Sequence, residues 1–135
     1  MVLDNMAEKT LLNHVALQCS NIEQALIFFT KILKIPMIKN LTISKELSNK
    51  IFGVNDYVEV YVFDNGEARF EVFIKNKTNE TEFEHVCIEV EDKKEFVNTC
   101  KSYGLQPFFV KKDEKDLLFV RDFSNNLYEV KEQLK

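Results

Sequence analysis

Along this chain the apolar residues change period several times, and each change marks an element. Over about 11–18 they alternate: Val15 and Leu17 share one face of a strand, while His14 lies opposite with Leu12, Ala16 and Gln18. Ser20 followed three residues later by Glu23 makes a capping box, and Ile22, Ala25, Leu26, Phe29 and Leu33 recur at helical spacing until Pro36. Strands follow over about 37–43, 57–63 and 68–74, the last two joined by a hairpin turn at Asp64-Asn65-Gly66. The order is βαβββ.

The same order then returns. A strand over 83–90 leads to a helix capped by Asp92 and Glu95. Phe96, Val97, Cys100 and Tyr103 line its face and Gly104 ends it. Strands over about 107–112, 116–121 and 126–131 complete the second set. The residues themselves repeat: NHVALQC at 13–19 matches EHVCIEV at 84–90, and ARFEVFI at 68–74 matches NLYEVKE at 126–132. The expected fold is α+β, with two tandem βαβββ modules, about 11–75 and 82–132, forming curved, mostly antiparallel sheets around a cleft. Both modules belong to one domain over 1–135.

Spacing distinguishes the modules. His14 and Glu71 are 57 positions apart and His85 and Glu129 are 44 apart, so the first module carries an insertion, which falls in about 40–55. There Ile43, Leu47, Ile51 and Phe52 predict a short amphipathic helix ending near Gly53. Such a helix can close over a pocket, but a surface position on the sheet edge is the expectation. The run KKDEK at 111–115 reads as a solvated hairpin rather than a binding patch.

Composition narrows the function classes. A chain of 135 residues that is 45% hydrophobic and 30% charged can bury a sizeable core. Its net charge of −4, with lysines alternating with acids, leaves no basic stripe for nucleic acid or an anionic membrane. The first ten residues, MVLDNMAEKT, carry early acids and no signal-like apolar run, so a cytoplasmic protein is expected. Cys19, Cys87 and Cys100 are odd in number and lack CxxC spacing, which points to reduced thiols. The triplets at Asn40, Asn76 and Asn79 are then chance matches to a glycosylation signal.

The candidate chemistry lies in the repeat. The only two histidines, His14 and His85, occupy equivalent places, as do Glu71 and Glu129. Strand parity sets all four opposite the apolar residues that face the helices: Phe70, Val72 and Ile74 oppose Glu71, Val86, Ile88 and Val90 oppose His85, and Tyr128 and Val130 oppose Glu129. If the sheets curve toward each other, two imidazoles and two carboxylates meet in one cleft. That donor set suits one divalent ion per site (Zn, Ni, Co, Mn or Fe) and leaves a position or two for water or substrate. Arg69, on the face of Glu71, is placed either to bind a substrate carboxylate or to pair with Glu71 or a neighbour. Cys87 shares the His85 face, as a third metal-proximal group or, preferably, a small packed thiol.

These segments, NHVALQC with ALIFFTKILKI, ARFEVFI, EHVCIEV and VRDFSNNLYEV, resemble the glyoxalase and bleomycin-resistance superfamily, the vicinal oxygen chelate proteins, over about 11–132. The ending resembles that superfamily's V-x-D-P-x-G-N-x-x-E, with Phe123 in place of proline and Asn125 in place of glycine. The resemblance implies metal ligands at His14, Glu71, His85 and Glu129, the His-Glu-His-Glu set of glyoxalase I. Extradiol dioxygenases and fosfomycin-resistance enzymes generally use His, His and Glu, so Glu71 tilts the comparison toward the isomerase branch. It further implies a homodimer with sites completed between subunits, because each module offers exposed sheet edges and half a cleft. Gln18 stands where glutathione-type glyoxalases place an arginine, which weighs against glutathione.

The expected activity is a metal-dependent lyase or isomerase/epimerase acting on a small oxygenated metabolite. An ion holding two adjacent substrate oxygens stabilises an enediolate, and Glu71 or Glu129 moves the proton as base. The competing readings are an Fe(II) dioxygenase and a non-catalytic protein that sequesters a drug or metabolite, as bleomycin-resistance proteins do.

Overall fold

In the computed structural model, which describes residues 11–77 and 82–134, the two repeats fold into two separate four-stranded sheets. The first holds β1 (Val15–Cys19), β2 (Met37–Ile43), β3 (Val58–Asp64) and β4 (Arg69–Ile74) in the order β1-β4-β3-β2. The second holds β5 (His85–Val90), β6 (Phe108–Lys112), β7 (Lys115–Arg121) and β8 (Leu127–Glu132) in the matching order β5-β8-β7-β6. In each sheet the first strand runs parallel to the last and the other pairings are antiparallel. Strands β1 and β5 are therefore edge strands. The segment 1–10 and the triplet that begins at Asn79 lie outside the described residues. No helix among those described is long and apolar enough to cross a membrane.

Helix α1 (Ile22–Leu26) continues into a wider, π-helical stretch, Ile27–Ile32. The Thr30 hydroxyl donates to the Leu26 carbonyl within it, competing with the backbone donors. Its cap differs from the expected one. Asn21, not Ser20, accepts from the Gln24 N–H. Ser20 is used elsewhere: its hydroxyl accepts from the Lys77 N–H and its own N–H donates to the Ser124 hydroxyl. Helix α3 (Lys93–Ser102) is capped by Asp92 as expected, and Gly104 beyond it takes φ 88°. Two strands are shorter than expected. Residues 11–14 precede β1, with Leu11 and Leu12 lying open to solvent, and β5 begins only at His85.

One core serves both modules. Phe28 packs on Tyr128 of the second sheet with ring centroids 4.8 Å apart, and its neighbour Phe29 stacks on Phe63 of the first at 4.9 Å. Cys19, Phe70, Val72, Phe96, Leu118 and Val130 join the same buried cluster. The helix-packed faces of the two sheets thus share an interior, and their opposite faces point outward.

A polar knot closes that interior at one end. Buried Asp122 accepts from the backbone N–H groups of Ser124 and Asn126 through Oδ1. Through Oδ2 it accepts from Asn126 Nδ2, the Tyr128 hydroxyl at 2.9 Å and the Cys19 thiol at 3.9 Å. Burial, and then the Asp122 charge, push the Cys19 thiol up to about 12 and raise the Tyr128 phenol well above its usual range, so both remain donors. Asn126 also reaches the Gln18 carbonyl, tying the turn after β7 to β1. Asn125 takes φ 68° in that turn, the left-handed conformation expected of a residue standing in for glycine.

Helix α2 (Lys45–Phe52) forms as predicted, with Ser44 capping its start and Gly53 at φ 71° its end. Its position differs. It lies over the face of the first sheet that carries Glu71 rather than along the edge: Ser48 is buried and Phe52 meets the Phe73 ring edge-on at 5.4 Å.

Asp122→Ala strands several buried donors at once. We expect a loss of at least about 3 kcal/mol in denaturant unfolding, against about 1 kcal/mol for Tyr128→Phe, which removes one donor of several.

Candidate metal centre

Register places the two histidine–glutamate pairs alike. Ala16 stands beside Glu71 across the β1–β4 ladder and Cys87 stands beside Glu129 across β5–β8, with each histidine two residues earlier. His14 Nε2 lies 3.4 Å from Glu71 Oε1, and His85 Nε2 lies 3.8 Å from Glu129 Oε1. Two ligands of one ion, each at about 2.1 Å with bond angles of about 90–110°, sit about 3.0–3.4 Å apart. The first pair has that separation and the second is slightly wider.

The other ring nitrogens make these pairs suitable for metal. His14 Nδ1 is 2.7 Å from Asn13 Oδ1, and His85 Nδ1 is 2.9 Å from the Phe83 carbonyl. An acceptor at Nδ1 assigns the proton of a neutral imidazole to that atom and aims the Nε2 lone pair at the glutamate. A lone pair facing a carboxylate oxygen is favourable only with a cation between them, either a proton or a metal ion. The residues present therefore fit a borderline divalent ion.

Glu71, His85 and Glu129 lie on the strand faces opposite the core, as parity required, and His14, just before β1, reaches Glu71, but one chain does not bring the four to one point. Among the described residues, no group of three or more imidazole, carboxylate and thiol side chains is arranged to hold a metal ion. The reason is the shared core. The stretch Ile27–Ile32 joins the inner faces of both sheets in one core, and the His14–Glu71 and His85–Glu129 pairs sit apart, each on its own sheet. Within one chain the four side chains therefore form two separate pairs and not one common cluster.

Arg69 takes the ion-pair alternative. Its Nη1 donates to Asp64 Oδ2 at 2.8 Å, its cross-strand partner, and its Nε lies 4.0 Å from Glu71 Oε2. The Gly66 backbone N–H, and then the guanidinium, hold the Asp64 carboxyl below its ordinary range. Sequence reasoning treated Asp64 only as a turn residue; the signal for its second role was its place opposite Arg69 in the hairpin. In the second module Leu127 replaces Arg69, and Lys131 Nζ approaches Glu129 Oε2 at 3.4 Å. Cys87 is exposed rather than packed, and partial burial, followed by the Glu129 charge, raises its thiol. A groove of about 830 Å³ runs between the two sheets, with His14 and Arg69 on one wall and Cys87 on the other.

No protein-family model matches the chain, and no curated protein matches its sequence. Solved structures do resemble it. A glyoxalase family protein from Bacillus cereus aligns at TM-score 0.73 with 20% identity, over 96% of this chain and 99% of that one. The fosfomycin resistance protein FosX from Listeria monocytogenes aligns at TM-score 0.70 with 14% identity, over 94% and 96%. A mutant of that Listeria protein, complexed with Mn(II) and 1S,2S-dihydroxypropylphosphonic acid, aligns at TM-score 0.70 with 13% identity, over 92% and 90%. The paired βαβββ architecture of this chain is the glyoxalase, or vicinal oxygen chelate, fold.

Proposed function

We propose that this chain is a metal-dependent enzyme of the glyoxalase type, a lyase or isomerase/epimerase acting on a small metabolite with two adjacent oxygens. The observation that carries the reading is the repeated His–Glu pair with each Nδ1 held by an acceptor. Each active site joins two copies of the chain: His14 and Glu71 of one subunit meet His85 and Glu129 of the partner subunit. The unpaired edges of β1 and β5 and the outward-facing half-sites support this assembly. Mn(II) in the Listeria neighbour supports a divalent ion there.

Such an ion would hold the two substrate oxygens and stabilise the negative charge that develops on them. The protein's own groups move the proton. Glu71 or Glu129 takes it from the carbon next to the carbonyl and returns it to the neighbouring carbon, giving isomerisation, or to the same carbon, giving epimerisation. His14 and His85 are oriented by Asn13 and the Phe83 carbonyl. Arg69, already engaged by Asp64, holds the Glu71 side chain in place and serves as a weaker candidate for a substrate carboxylate.

Mixing variants tests the shared site. His14→Ala and His85→Ala should each lose most bound metal, measured by elemental analysis after purification without chelator. Unfolded together and refolded, they should recover about a quarter of the wild-type content, since half the dimers are mixed and one of their two sites is intact. Recovery of none, with dimers present by light scattering, would contradict a site built from two chains.

Glu71→Gln and Glu129→Gln test the base. Once a screen of α-hydroxy carbonyl compounds has identified a substrate, exchange of its α-proton with deuterated solvent should slow about a hundredfold or more in at least one variant that keeps its metal. Unchanged exchange in both would remove the carboxylates as proton carriers. A second reading, metal-assisted chemistry on a phosphonate, is favoured by the diol phosphonate in the Listeria neighbour. Incubation with fosfomycin followed by phosphorus NMR decides it: a new phosphonate signal that needs the metal supports this reading, and an unchanged spectrum refutes it.

A further inference from the structure

We infer that the insertion helix α2 builds an apolar recess beside Glu71 that takes a phenyl-sized or branched alkyl substituent of the substrate. The recess, about 220 Å³, lies between the first sheet and α2. Ala16, Phe52, Val54 and Phe73 line it, together with the polar Gln18, Ser48 and Lys75. Ala16 is the ladder neighbour of Glu71, and Phe73 follows Glu71 by two residues on the same face, about 7 Å along the strand. An apolar cavity of about 150 Å³ accommodates benzene, so this space is sufficient for a ring.

The recess belongs to the first module alone. The second module has no counterpart of α2, Cys87 stands where Ala16 stands, and the Phe108 and Phe119 rings stack on an uncovered sheet face. α2 is held to the sheet by Ser48, which is 1% exposed, and by the edge-on contact of Phe52 with Phe73, although Phe52 itself remains half-exposed, like Leu47 and Ile51. A carbon held near Glu71 by adjacent oxygens would direct its substituent into this space. The preferred substrates are then α-hydroxy or α-keto compounds with a ring or branched chain on that carbon, rather than a methyl group. The substrate assignment rests on the metal-centred reading above, whereas the recess itself does not.

The experiment has two arms. In metal-free protein, fluorobenzene should shift the NMR signals of Ala16, Phe52 and Val54, and Ala16→Leu or Val54→Phe, checked for folding by circular dichroism, should abolish those shifts. In Mn(II)-loaded protein, mandelate should bind at least about tenfold more tightly than lactate, a ratio that both filling variants bring close to one. The Val54 variant keeps this arm independent of the position beside Glu71. Absence of fluorobenzene shifts in the wild type overturns the recess. Fluorobenzene binding with equal affinity for mandelate and lactate overturns its role in substrate selection. If neither acid binds in the presence of metal, the metal-centred reading fails, and the fluorobenzene arm alone decides whether the recess takes a ring.

Discussion

A buried carboxylate holds the two modules together without a salt bridge. Among the described residues Asp122 makes no ion pair; its charge is spread over five donors, drawn from Cys19 in the first module and Ser124, Asn126 and Tyr128 in the second. Such a group is costly to bury and tolerable only when all its donors are in place. That requirement fixes the end of β1 against the turn between β7 and β8. It also draws in Ser20, through Ser124 and Lys77, which explains why helix capping passes to Asn21. Tyr128, held by its hydroxyl, presents its ring to Phe28, so the knot sets the packing of the stretch Ile27–Ile32 between the sheets.

This packing decides what a single chain can do. With the inner faces of both sheets spent on one core, the two His–Glu pairs stay apart, each partly exposed on its own sheet. The pairs nonetheless keep the same register, because β1–β4 and β5–β8 are parallel ladders with the same offset. A fold made from a duplicated module thus yields two equivalent His–Glu pairs, one on each sheet.

Much of this was legible in the sequence because it depends on local periodicity. The βαβββ repeat, all eight strands, the turn at Gly66, the Gly53 and Gly104 helix ends, and the outward parity of Glu71, His85 and Glu129 follow from spacing and turn chemistry. What was not legible depends on partners distant in the chain. Ser20 looks like a cap until Lys77 and Ser124 claim it, and Arg69 looks available until the hairpin sets Asp64 opposite. Leu11 and Leu12 read as strand although β1 begins beyond them at Val15. The separation of the two His–Glu pairs goes with Phe28 and Phe29 packing on different sheets, which no period reveals.

The two modules differ most where chemistry would need them to differ. Glu71 stands beside the small Ala16, an arginine already committed to Asp64, and the recess under α2; Glu129 stands beside an exposed thiol, Lys131 and an open aromatic face. Duplication supplies two carboxylates at equivalent ladder positions, and the insertion of one helix in one module is what makes their surroundings unequal.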